Sequence, residues 1–119
     1  MTRGSIVRLA ALSAAIAIAA GAFATHGLTG KPAEWLKTGG QYQLIHAVAA
    51  IVLVQLGTRL AAALLLGGSA LFAATLYAMA FGGPLWLGAV TPVGGLGMIA
   101  GWLLLAWRAN SPGDREKLS

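Results

Sequence analysis

The sequence predicts an all-α fold, an integral-membrane four-helix bundle whose helices run antiparallel in up-down-up-down order. Three observations lead there. The 119-residue chain is 58% hydrophobic and only 9% charged, against about 25% charged residues in a soluble domain. Its mean hydropathy is +0.79. Four stretches reach the length of roughly 17–25 predominantly apolar residues that a helical span requires. This length holds one domain, with the four spans within 1–108 and 109–119 forming a polar cytoplasmic tail.

The first span is expected over 6–25, "IVRLAALSAAIAIAAGAFAT". Arg8 lies near its start, where a long cationic side chain can snorkel to the surface. A signal peptide is the competing reading, with Arg3 and Arg8 as a basic leader and "AFA" at 22–24 imitating a cleavage site. The apolar core exceeds the roughly 7–15 residues of such a segment, and its removal would leave three spans. Retention is therefore expected.

The second span covers 41–57. It opens on Gln41, Tyr42 and Gln43 and carries His46 inside its apolar run. Ahead of it, "KPAEWLKT" (31–38) is expected as a separate short interfacial helix, with Pro32 at its start and Trp35 as its anchor. The third span covers 60–81, and only Gly57, Thr58 and Arg59 separate it from the second, which makes a tight helical hairpin. "GGPLWLGAVTP" (82–92) is apolar but broken by Gly and Pro. It reads as an interfacial turn marked by Trp86; the alternative is a protein-covered segment lining a cavity. The fourth span covers about 92–107, starting near Pro92 and ending at Trp107-Arg108, with Thr91 as N-cap and Pro92 in the first helical position.

If the spans alternate, the side of both chain ends holds six basic residues: Arg3, Arg8, Arg59, Arg108, Arg115 and Lys117. The other side holds Lys31 and Lys37. The positive-inside rule then places the protein in the inner (plasma) membrane as a multi-pass chain with both termini cytoplasmic. The pI of about 10.5 does not imply nucleic acid, because the basic residues stand singly between apolar runs. Without cysteine, disulfides and thiolate metal sites are excluded. The expected partner is the lipid bilayer, with a homo-oligomer or a larger membrane complex as a further option.

Small residues recur at helical spacing in every span: Ala10, Ala14, Ala17 and Gly21; Ala47, Ala50 and Gly57; Ala63, Gly67, Ala70 and Ala74; Gly94, Gly97 and Gly101. Such rows let helix backbones approach closely in lipid. Polar residues extend them. Taking about 1.5 Å per residue, His46 lies less than 10 Å below the outer end of its span, and Tyr77 lies at a similar depth. His26 closes span one on that side, and Thr91 opens span four there. His26, Gln43, His46, Tyr77 and Thr91 are therefore the candidate ligand-binding cluster.

The motifs "GAFATHGL" (21–28), "TGGQYQLIHAVA" (38–49), "GSALFAATLYAMAFGG" (68–83) and "LGAVTPVGGLGMIAGWLLLAW" (87–107) together resemble the family called domain of unknown function 423, which includes the eukaryotic transmembrane protein 256. The resemblance covers nearly the whole chain. It implies a four-span bundle and an uncleaved first helix. Family members commonly read Gly-Ala before the first histidine, where this chain has Ala24-Thr25. The family has no settled activity.

Two readings of the cluster stay open. In one, its members hydrogen-bond across helices and fix their register, at about 0.6 kcal/mol per bond on average. In the other, they line a polar pocket in the outer half of the bundle for a small amphipathic ligand, lipid or quinone. Two histidines without a third ligand make a poor zinc site, so neither metal nor cofactor is expected. No catalytic residue is expected either, since Glu34, Asp114 and Glu116 lie outside the spans, away from both histidines. Ser13 and Ser69 sit mid-helix with no histidine at a workable depth. The functional expectation is thus a structural or accessory component of an envelope complex or a ligand binder. A small-solute or proton-linked transporter is the alternative, disfavoured because no span carries a carboxylate.

Overall fold

The computed structural model describes residues 1–109. The tail expected at 109–119 lies outside those residues except for Ala109, which ends the last helix. Helix α1 spans Arg3–His26. It is rich in alanine, the best helix former, and Thr2 caps it by accepting a hydrogen bond from the Ser5 N–H at 3.0 Å. Helix α2 spans Gly30–Gln55, α3 spans Arg59–Ala80, and α4 spans Thr91–Ala109. A 3₁₀ segment, Leu85–Ala89, follows Pro84 in the connection before α4.

The separate helix expected at 31–38 does not form. Those residues are the first turns of a continuous α2. Pro32 sits where the helix N–H groups have no intrahelical partner, so it interrupts nothing. Gly39 and Gly40, the natural place for a break, are buried against α1 and α3, and that packing outweighs their poor helix propensity.

Among the described residues, three stretches are long and apolar enough to cross a membrane: Arg3–His26, Arg59–Ala80 and Leu85–Ala109. Helix α2 falls short on composition, because Gln41, Gln43, His46 and Gln55 dilute its apolar half. Yet α2 packs along both α1 and α3, while α4 packs along α3 and α1 touches α3 only lightly. At one end, where Arg3 of α1 reaches the Gln55 side chain of α2, Ile6, Ala10, Ala47, Ala50, Ala61 and Leu65 form a fully buried core. Ile51 is half-buried and packs on that core, whereas Val48 faces outward.

The α3–α4 seam is built on glycine. A Cβ added to Gly94 would stand 2.5 Å from the Phe72 nitrogen and 2.6 Å from the Gly68 oxygen. Gly68 is therefore the α3 residue that admits α4. Gly67, on the row expected to pack, is exposed, and a Cβ there would meet nothing within 4 Å. The two adjacent glycines differ by 100° around the helix, so choosing the wrong one moves the seam to another face.

Candidate functional site

The buried part of α2 carries two polar side chains, and each is answered from a neighbouring helix. Gln43, 5% exposed, lies one turn beyond the glycine pair at 39–40. A Cβ at Gly39 would sit 2.8 Å from Cε1 of Tyr77, and one at Gly40 3.0 Å from the Ala17 carbonyl oxygen. The missing side chains bring α1 and the Tyr77 ring close enough for one amide to bridge both. Gln43 Nε2 donates to Ser13 Oγ at 2.8 Å, and its Oε1 accepts from the Tyr77 hydroxyl at 2.5 Å. One side chain thus ties α1, α2 and α3.

His46, 6% exposed, makes the second connection. Its Nδ1 lies 2.7 Å from the Tyr42 carbonyl oxygen one turn back, and Trp102 Nε1–H donates to its Nε2 at 3.0 Å. The carbonyl can only accept and the indole can only donate. The pair of contacts therefore selects the tautomer with hydrogen on Nδ1. Both ring nitrogens are then used. Around this bond the Tyr42 and Phe72 rings stand 4.8 Å apart, and the edge of the His46–Trp102 pair closes one side. The result is an aromatic cleft of about 350 Å³ between α2 and α4, with Gly95 and Met98 in its lining.

Thr91 makes a third, separate connection. Its hydroxyl is 2.6 Å from that of Thr75 and donates to the Leu87 carbonyl at 3.1 Å. It turns back onto the 3₁₀ segment and links it to α3, instead of capping the free N–H groups of α4. His26, the last residue of α1, is exposed and has no side-chain hydrogen bond among the described residues. Of the five candidates, then, Gln43 and Tyr77 meet directly, His46 sits one turn from Gln43 but bonds toward α4, Thr91 belongs to the α3–α4 connection, and His26 stands apart. Among the described residues no three His, Asp or Glu side chains converge.

Ser13, Phe72, Thr75 and Trp102 complete these connections, and none was expected from the sequence. Ser13 carried a signal: it falls between Ala10 and Ala17 on the small row of α1, where any hydroxyl must face protein. Trp102 also stands out by position. It lies well inside α4, whereas Trp35, Trp86 and Trp107 lie near the ends of apolar segments.

Residues 20–95 match the family described as "Protein of unknown function (DUF423)". The chain is 36% identical over 115 residues to the "UPF0382 membrane protein" of Haemophilus influenzae, covering 88% of this chain and 93% of that one. It is 36% identical over 109 residues to "UPF0382 membrane protein YwdK" of Bacillus subtilis, covering 82% and 89%. To "UPF0382 inner membrane protein YgdD" of Escherichia coli K12 it is 34% identical over 116 residues, covering 88% of each. No solved structure matches.

Proposed function

The chain belongs to the DUF423 family, and from that premise we propose that it is a four-span inner-membrane protein serving as a structural or accessory element of an envelope complex, without catalysis. In this reading α2 is the fourth span. Its 26 residues reach about 39 Å at 1.5 Å per residue, more than a hydrocarbon core of about 30 Å. Its two buried polar side chains, Gln43 and His46, are turned onto α1, α3 and α4, so lipid does not have to solvate them. Alternating direction is supported by pairs of contacts: the start of α1 meets the end of α2 through Arg3 and Gln55, and the end of α3 meets the start of α4 through Thr75 and Thr91. Both termini are then cytoplasmic under the positive-inside rule.

One observation carries the structural reading. Among the described residues, no buried side-chain nitrogen or oxygen lacks a hydrogen-bond partner. Four of the five polar groups that sequence alone offers to a ligand, Gln43, His46, Tyr77 and Thr91, are spent on holding helices together. His46→Ala and Gln43→Leu, purified in mild detergent, should melt lower than wild type while native mass spectrometry finds the same small molecules bound. Loss of one specific compound from a variant that keeps its fold would transfer the weight to a second reading.

That second reading has its own support in the aromatic cleft. Tyr42, Phe72 and Trp102 offer ring faces around about 350 Å³, within the roughly 300–1,000 Å³ of small-molecule sites. A flat amphipathic ring such as a quinone suits those walls. The binding residues would then be Tyr42, His46, Phe72 and Trp102, without His26 or Thr91. Solvent extraction of wild type and Trp102→Ala tests it: a ring compound should leave with wild type and be missing from the variant.

A further inference from the structure

A second groove opens on a different face, between α1 and α3. Both helices lean on α2 and touch each other only lightly. Leu9, Leu12 and Ile16 of α1 form one wall, and the small residues Ala63, Gly67 and Ala70 form the other. The space left is about 430 Å³ and almost wholly apolar, with Ser13 and Gln43 at its floor. It lies in the half of the protein where Arg3 meets Gln55.

Two arginines share the rows that build these walls. Arg8 stands one turn before Leu12, and Arg59 stands one turn before Ala63, so each belongs to its groove-lining row. Both are exposed. The only carboxylate in residues 1–109 is Glu34, in the first turns of α2, at the opposite end of that helix from Gln55. Neither guanidinium therefore has a carboxylate partner among the described residues, and an exposed arginine at a helix end in a bilayer meets lipid phosphate. We propose that this groove holds one acyl chain of an anionic phospholipid, with Arg8 and Arg59 binding its headgroup. The apolar walls exclude water and suit a hydrocarbon chain, while the cationic end selects the charge of the molecule that chain belongs to. The proposal rests on the transmembrane reading of α1 and α3.

Gly67 allows a clean test, because it lines the groove and a Cβ there meets no protein atom within 4 Å. The full chain is placed in nanodiscs of equal parts phosphatidylglycerol and phosphatidylcholine, released into mild detergent, and its retained lipids are counted by native mass spectrometry. Wild type should retain phosphatidylglycerol in preference to phosphatidylcholine. Arg8→Gln and Arg59→Gln should each lower that preference about fivefold. Gly67→Leu should abolish retention, while Gly95→Leu, which enters the aromatic cleft instead, should leave it unchanged. The proposal is overturned if wild type shows no preference, if either arginine variant keeps the full preference, if Gly67→Leu retains lipid as wild type does, or if Gly95→Leu loses it equally. Circular dichroism checks that each variant is folded, and the exposed arginine variants carry the test should Gly67→Leu not fold. Resistance of wild type to carbonate extraction reads membrane insertion separately, so a failure of the transmembrane reading is distinguishable from a failure at the groove.

Discussion

Tyr77 donates its hydroxyl to the Gln43 side-chain oxygen at 2.5 Å, joining α3 to an amide whose nitrogen already holds α1. Interhelical bonds of this kind average about 0.6 kcal/mol in membranes, with a maximum near 1.7. Gln43→Leu and Tyr77→Phe should each destabilise the protein. The double variant should lose less than the sum of the two, by a coupling energy within that range. A double-mutant cycle of detergent melting curves measures it; additive losses would mean that the two side chains act independently.

The Trp102–His46 bond leads to a spectroscopic expectation. Because the indole can only donate, Nε2 of His46 must accept, and the ring hydrogen belongs on Nδ1. Nitrogen chemical shifts of histidine-labelled protein should show an unprotonated Nε2 for His46. Trp102→Phe should remove the hydrogen-bond signature at that nitrogen and leave the Nδ1–H in place. A resting signal with the hydrogen on Nε2 would contradict the bond.

Adjacent glycines in α4 should respond in opposite ways. Gly94→Ala drives a methyl group against backbone atoms of Phe72 and Gly68 at 2.5–2.6 Å; overpacking of this sort typically costs about 1–3 kcal/mol. Gly95→Ala meets nothing within 4 Å and should gain up to about 1 kcal/mol from helix propensity. Thermal melting in detergent separates them by sign. Equal melting of the two variants would count against close α3–α4 contact at residue 94.

The contrast between those two residues also shows how far the sequence could be read. Helix positions were legible because long apolar runs and turn residues mark them locally: Gly57 and Thr58 sit between α2 and α3, and Pro84 precedes the 3₁₀ segment. Which face of a helix meets which neighbour was less legible. In "LLLGGSALFA" the row of small residues runs through Gly67, between Ala63 and Ala70, and only the partner helix decides that Gly68 is the contact. The candidate site was legible only in part for the same reason: Gln43 and Tyr77 meet, while His46 turns toward α4 and His26 and Thr91 stand elsewhere. Depth arguments put His26, His46, Tyr77 and Thr91 near one level, but depth does not give the direction around the helix axis. Ser13 and Trp102, the residues that answer Gln43 and His46, lie 30 and 56 positions away in sequence, with no local feature to announce the pairing.

Topology gives the last prediction, and the lack of native cysteine makes it accessible. Helix α2 decides the span count, since its composition alone does not qualify it to cross a membrane. If its polar side chains are satisfied inside the protein, the cost of burying them in lipid largely disappears, and α2 crosses like the others. Residues at its two ends then lie on opposite sides. Single cysteines at the exposed positions Thr2, Lys31, Arg59 and Pro84 report this directly with a membrane-impermeant maleimide in bacterial cells and in inverted vesicles. Thr2→Cys and Arg59→Cys should label only in inverted vesicles, and Lys31→Cys and Pro84→Cys only in intact cells with a permeable outer membrane. Labelling of Lys31→Cys and Arg59→Cys from the same side would mean that α2 does not cross, and the four-span reading would fall with it.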